Sequence, residues 1–408
     1  MKKVIFKFSA LVILVFAFII SVESCKKDAF NPTQTEDKEP VSGTNDLQKS
    51  LAQNFTTYKL VTLNAAEMFN QVEGQADKPF TLKLADNLLP QSKIDLKRSL
   101  QLSKETEYIE VGEEGKRTNH SFDIRSYKTE DKQQKGMFVL SKDFFSANIT
   151  LSDIEYHIEP VIMYFNKAAK DQYIVYKQSD VIIQDTKECA TTEIGDDAEK
   201  NRNIAITRTA RSCWKLELRS EGDFEYYTKA GWNFNLAVWA MAVTMSNASI
   251  PYDIINLDLV VAGITVYSSS PTRTSGYTGA YTISLLNQMR QNWSAFPHWN
   301  RDAVILYTGK DIYSNRAKPS DKSTVGQVFG LSVLCVDLNR SYAVVEWGNE
   351  AAKITSHEVG HLLSARHGSQ GIMISSLPAD NYFSQTSQDQ MNRHIWFNHS
   401  CLQTGNCE

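Results

Sequence analysis

Three histidines and a glutamate fall within eleven residues, HEVGHLLSARH, running from His357 to His367. His357 and His361 are four apart, so on a helix both imidazoles leave the same face and can reach one metal ion. Glu358, beside the first of them, is placed to take a proton from a water held by that metal. A histidine six residues beyond His361 would point elsewhere if the helix simply continued. The chain is therefore expected to turn sharply near Ser364 and return His367 as a third nitrogen ligand. That leaves one corner of a tetrahedral Zn2+ open, which marks a catalytic rather than a structural ion. The whole chain holds 8 histidines in 408 residues, so composition does not explain three in one such window.

The window resembles the metzincin metalloprotease signature, HExxHxxGxxH followed by a methionine turn, with Met373 in GIMIS as the turn residue. Ser364 stands where that signature has glycine, and a serine at positive φ carries a cost of about 1 kcal/mol. Gly368 stands where the reprolysin (adamalysin) branch has aspartate. Three upstream stretches resemble strands of the reprolysin catalytic domain: WKLELRSEGDFEYY (Trp214 to Tyr227), WNRDAVILYTGKDI (Trp299 to Ile312) and TVGQVFGLSVLCVD (Thr324 to Asp337). The resemblance runs from about residue 212 to 401. It implies an α/β (α+β) catalytic domain with a twisted mixed sheet, an active-site helix and a small C-terminal subdomain. Glu358 would be the general base of peptide-bond hydrolysis, and Met373 an apolar floor under the three ligands. A disulfide between Cys335 and Cys401 is implied as well, which leaves Cys213 and Cys407 as a second candidate pair.

Periodicity in this region reads as β-α-β-α-β-β-α, with DIINLDLVVAGITVY (Asp253 to Tyr267) as a buried strand. Asn349 is a candidate cap for the active-site helix, whose Ala351, Ala352, Ile354, Val359 and Leu362 spread apolar surface around it. The segment Val325 to Val333 is an edge to which an extended substrate could add as another strand. A terminal helix is expected from about Thr386 to Ser400, with His394 and His399 as polar surface residues rather than ligands.

The N-terminus carries Lys2 and Lys3, then an apolar run from Phe8 to Ile20. Residues 1–24 read as a signal peptide. SVESC resembles a bacterial lipobox that makes Cys25 the lipidated N-terminus, the alternative being a plain secretory signal. A lipid tail would hold the protein on a membrane face, most simply the outer membrane, with no spanning helix needed. Residues 25–48 are polar with Pro32 and Pro40 and read as a tether. Residues 49–211 form a mostly β segment, with GMFVLSKDFF, YHIEPVIMYF and DQYIVYKQSDVII strand-like. YHIEPV resembles an element of reprolysin prodomains, and KECATTE places Cys189 at the position of their cysteine switch. There a thiolate would take the open zinc corner and exclude water; the alternative for Cys189 is a disulfide. Five cysteines remain after Cys25, an odd number, so one is left unpaired within the chain. Arg208 and Arg211 form an R-x-x-R pattern just before the first strand of the 212–408 domain, a candidate cleavage site.

The net charge of −4 gives no reason to expect nucleic acid as a partner. The reading is a precursor of an exported, lipid-anchored zinc endopeptidase, a monomer acting on proteins or peptides. Two alternatives stand beside it: an inactive protease-fold binding protein, and a zinc amidase acting on cell-wall peptides.

Overall fold

From residue 59 onward, short runs alternating apolar and polar side chains are broken by turns, and they fold as a meander. The computed structural model describes residues 44–408 apart from 76–77, 87, 100, 103, 132–133, 183–186, 192–212, 272–275, 295–300, 316, 321, 323, 377–379 and 406–408. The signal peptide, Cys25, most of the expected tether, Arg208, Arg211 and Cys407 lie outside the described residues. The chain enters through α1 (Thr44–Ala52), β1 (Lys59–Thr62) and α2 (Ala65–Val72), then β2 (Phe80–Lys83) and β3 (Lys93–Arg98). Next come β4 (Glu107–Val111), β5 (Arg117–His120), β6 (Arg125–Thr129), β7 (Gly136–Leu140), β8 (Phe145–Leu151), β9 (Ile154–Pro160) and β10 (Gln172–Lys177). Eight of these make an antiparallel sheet in the order β1-β10-β9-β8-β7-β6-β3-β2. Phe69, Leu96, Phe138, Phe145, Ile158 and Tyr173 fill the core on one of its faces.

The second half alternates strand and helix: β11 (Glu188–Cys189), β12 (Cys213–Gly222), α3 (Phe224–Lys229), α4 (Phe234–Ser249), β13 (Leu257–Tyr267), α5 (Thr282–Ser294) and β14 (Ala303–Thr308). It ends with β15 (Thr324–Val328), β16 (Tyr342–Glu346), α6 (Ala351–Leu362), α7 (Gln385–Asn398) and β17 (Gln403–Gly405). The second sheet runs β11-β15-β16-β14-β12-β13-β4-β5, with β17 on β12. It is mixed: β12, β13, β14 and β16 are parallel, whereas β15 is antiparallel to β16. Side chains alternate across it, so Ile305, Ala343 and Val345 face the cluster under α4 and α6. Val304, Leu306 and Val344 face α5 instead. Strands β4 and β5, from the N-terminal half, extend this sheet beyond β13. The buried Arg219 ties β12 to Glu107 of β4 at 2.8 Å, and residues 46–408 form one compact unit.

Several expectations are corrected. The strand beginning at Trp214 stops at Gly222, because Asp223 turns the chain by capping α3 through the Tyr226 amide. The edge strand ends at Val328, with a turn-rich stretch where it was expected to continue to Val333. An unanticipated strand, β16, follows: YAVVE is buried throughout, and a short run without alternation carries no periodic signature. Glu350, not Asn349, is the N-cap of α6, and it makes no side-chain cap bond. The Asn349 amide instead reaches Asn54 at 3.2 Å. His394 is 1% exposed, not a surface residue. Cys335 and Cys401 are bonded to each other, Cys213 is also disulfide-bonded, and among the described cysteines Cys189 is free. No helix among the described residues is long and apolar enough to cross a membrane.

Candidate metal centre

Helix α6 is buried along nearly its whole length and carries His357, Glu358 and His361 into the interior. It closes with a Schellman motif: the Ala365 amide bonds to Gly360 O at 2.9 Å and the Ser364 amide to His361 O at 3.0 Å. Ser364 has the left-handed φ of +78° that this motif requires. Its hydroxyl lies 2.9 Å from His394 Nδ1 and 2.5 Å from the Ser332 hydroxyl. Those contacts offset the cost of a side chain at a position suited to glycine. His394 is anchored in turn, its Nε2 donating to Leu334 O at 2.8 Å. The turn brings His367 back beside the helix.

The three ring nitrogens converge. His367 Nε2 lies 3.3 Å from His357 Nε2 and 3.2 Å from His361 Nε2. Cys189 Sγ lies 3.6 Å from His361 Nε2, and all four donor atoms fall within 4.8 Å of one another. Around a tetrahedral zinc with Zn–N of about 2.0–2.1 Å and Zn–S of about 2.3 Å, neighbouring donors sit about 3.3–3.6 Å apart. The spacings of 3.2, 3.3 and 3.6 Å match that range. His357 Nδ1 donates to Ile372 O and His361 Nδ1 to Ala365 O, both at 2.7 Å. These carbonyls fix the tautomers and turn the Nε2 lone pairs toward one point. Burial holds His357 down to about 4 and His361 well below its ordinary range, so neither is a cation at neutral pH. Lone pairs crowded together with no proton between them repel unless a cation lies at their centre. The residues present therefore fit a metal ion.

Glu358 is fully buried, and burial pushes its carboxyl up to about 8. One oxygen takes the Thr191 hydroxyl at 3.3 Å, while the other, Oε1, has no hydrogen-bond partner among the described residues. Oε1 lies against the backbone of Gly326 in β15, where an added Cβ would collide with it and come within 2.8 Å of Ile354 Cγ2. Met373 is fully buried below α6, with its Sδ 2.7 Å from where a Gly360 Cβ would stand. The same stretch pairs with the third ligand's neighbour through the Gly368 amide and Met373 O at 2.7 Å.

An extended segment lies across this centre. Strand β11 runs parallel to β15, pairing Glu188 with Thr324 and Cys189 with Gly326. The Ala190 amide donates to Gly326 O at 3.0 Å, and on the other side the Cys189 amide donates to Ser375 O at 2.8 Å. Cys189 is half-buried as a residue, but its sulfur points inward at the buried histidines. Desolvation and the nearby Glu358 push the thiol well above its usual range. Upstream, Lys187 Nζ reaches Glu346 Oε1 at 2.6 Å. Thr191, Lys187, Gly326 and Glu346 carry no motif; the register of β11 on β15 is what brings them to the cleft.

No family model and no curated protein matches the chain. Among solved structures, the crystal structure of metalloproteinase-II from Bacteroides fragilis aligns over 86% of this chain and 95% of that one, at 13% identity and a TM-score of 0.47.

Proposed function

We propose that the protein is a zinc-dependent endopeptidase of the metzincin class, reprolysin-like, made as a latent precursor. The observation that carries this reading is the convergence of three Nε2 atoms, those of His357 and His361 oriented by Nδ1 donation to Ile372 O and Ala365 O, with a buried carboxylate on the adjacent residue. Zinc bound there would polarise the scissile carbonyl and acidify the attacking water. His357, His361 and His367 would hold the ion. Glu358 accepts a proton from that water and passes it to the leaving amine. In the precursor, Cys189 would supply the fourth ligand while Thr191 occupies Glu358. An extended peptide already lying along β15 favours a protein or peptide substrate over a cell-wall one. In this reading residues 49–211 are the prodomain and 212–408 the catalytic domain. Residues 1–24 are lost on export, and a lipid on Cys25 keeps the protein at the outer membrane.

The test is hydrolysis of a denatured protein by the zinc-loaded Cys189→Ala chain, with Cys189→Ala/Glu358→Gln and the unprocessed wild type alongside. The single variant is expected to cleave. The double variant should bind the same zinc but cleave at least about 100-fold more slowly, and the wild type should stay silent. A zinc-loaded Cys189→Ala chain that cleaves no protein would falsify the reading.

A further inference from the structure

Glu346 ends β16 and is 9% exposed, yet its nearest cation comes from outside the 212–408 domain. Among the described residues the cation paired with it is Lys187, whose Nζ sits 2.6 Å from Oε1. Its other oxygen accepts the Ile312 amide at 3.2 Å. Lys187 lies two residues before Cys189, on the segment that runs along β15 through the cleft. A peptide lying there sends alternate side chains into pockets beside the strand, and such pockets decide which sequences fit. When that lysine leaves, a buried carboxylate remains with one amide donor and the like charge of Asp311 nearby. A carboxylate so placed is costly until another cation reaches it.

We propose that Glu346 is a specificity residue, forming a subsite that takes a lysine or arginine side chain of the substrate beside the scissile bond. The proposal rests on the endopeptidase reading and goes beyond it, since nothing at the metal centre requires a basic substrate. Lys187 then acts as an internal occupant of the subsite in the precursor. Its ammonium meets Glu346 Oε1 as the substrate's would.

Two measurements on the full chain test it. In the zinc-loaded Cys189→Ala/Lys187→Ala chain, peptides scanned with lysine, arginine or alanine at each position flanking the cleaved bond are expected to show one position where a basic residue raises kcat/KM about tenfold or more. Adding Glu346→Gln should bring that ratio close to one, chiefly through KM. A ratio near one at every position, or a preference that survives Glu346→Gln, overturns the subsite while hydrolysis itself upholds the endopeptidase reading. Should no peptide be cleaved at all, the endopeptidase reading fails, and the second measurement judges Glu346 independently of catalysis. There n-propylamine, which replaces the side-chain atoms lost in Lys187→Ala, is titrated against that single variant. It should raise the melting temperature by about 2 °C and leave Lys187→Ala/Glu346→Gln unmoved. Equal behaviour of the two variants overturns cation recognition by Glu346.

Discussion

Gly326 sets how closely the Glu358 carboxylate can sit against the edge strand. Oε1 of Glu358 occupies space that any side chain at Gly326 would fill, and Ile354 closes the other side. Gly326→Ala must therefore push the carboxylate or the strand aside. Displacement of a catalytic group by about 1 Å can cost about 100-fold in rate, so kcat should fall by roughly that factor while zinc content stays at one per chain. Full activity in the alanine variant would mean the carboxylate is not wedged there. His357, Glu358 and His361 are legible in the sequence because their spacing on a helix forces them together. Gly326 is not legible, since its role depends on a strand passing beside that helix. Ser364 lies between the two cases: the need for a left-handed turn follows from the position of His367, but its partners Ser332 and His394 are 32 and 30 residues away.

Asp223 shows how one side chain can end an element that composition would continue. It is fully buried and serves four groups. It accepts the Tyr226 amide at 2.8 Å, the Gly309 amide at 3.0 Å, the Thr308 hydroxyl at 2.5 Å and the Lys310 ammonium at 2.6 Å. Strand β12, helix α3 and the end of β14 are thereby joined at one point. Asp223→Ala leaves two buried amides and a buried hydroxyl without their acceptor and the half-buried Lys310 with Glu225 as its remaining carboxylate, and its expected cost is about 3–5 kcal/mol, read by denaturant unfolding of the full chain. A loss below 1 kcal/mol would show that Glu225, 2.6 Å from Lys310, replaces it. β13 is legible from its dense apolar run, β12 from the resemblance of its residues to a known first strand, and α6 from its histidine spacing. The true end of β12 and the existence of β16 are not, because a buried cap and a fully buried five-residue strand leave no periodic trace. Nor does the alternation in β4 and β5 say that they join the second sheet rather than the first.

At the scale of the molecule, the first sheet meets α6 through charge. Glu155 and His157 of β9 and Glu350 and Lys353 near the start of α6 line a shared cavity of about 330 Å³, large enough to admit water and therefore protons. His157 Nε2 faces Glu155 Oε1 at 3.2 Å, close enough for ion pairing though not aligned as a hydrogen bond. Against the desolvation that opposes them, Glu155 is drawn down to about 2 by His157, and His157 is drawn up from its usual 6.5 by Glu155. Glu159 reinforces the histidine's charge, while Lys353 and burial oppose it. The raised histidine contributes stability that is complete below 6.5 and lost as pH rises through its folded value. The lowered glutamate contributes stability that is complete above 4.5 and lost as pH falls toward 2. The pair should therefore stabilise most between about pH 4.5 and 6.5. Melting curves of the full chain and of His157→Gln should differ most in that window and converge in alkali. A gap that persists unchanged at pH 9 would contradict this.

Among the described residues, the outer border of β15 is covered by the short run from Glu188 to Thr191. Once that cover departs, the strand offers unsatisfied main-chain donors and acceptors to whatever extended chain comes next, and a second copy of the protein qualifies as well as a substrate does. Exposure of that border and a tendency to self-associate would then be one event.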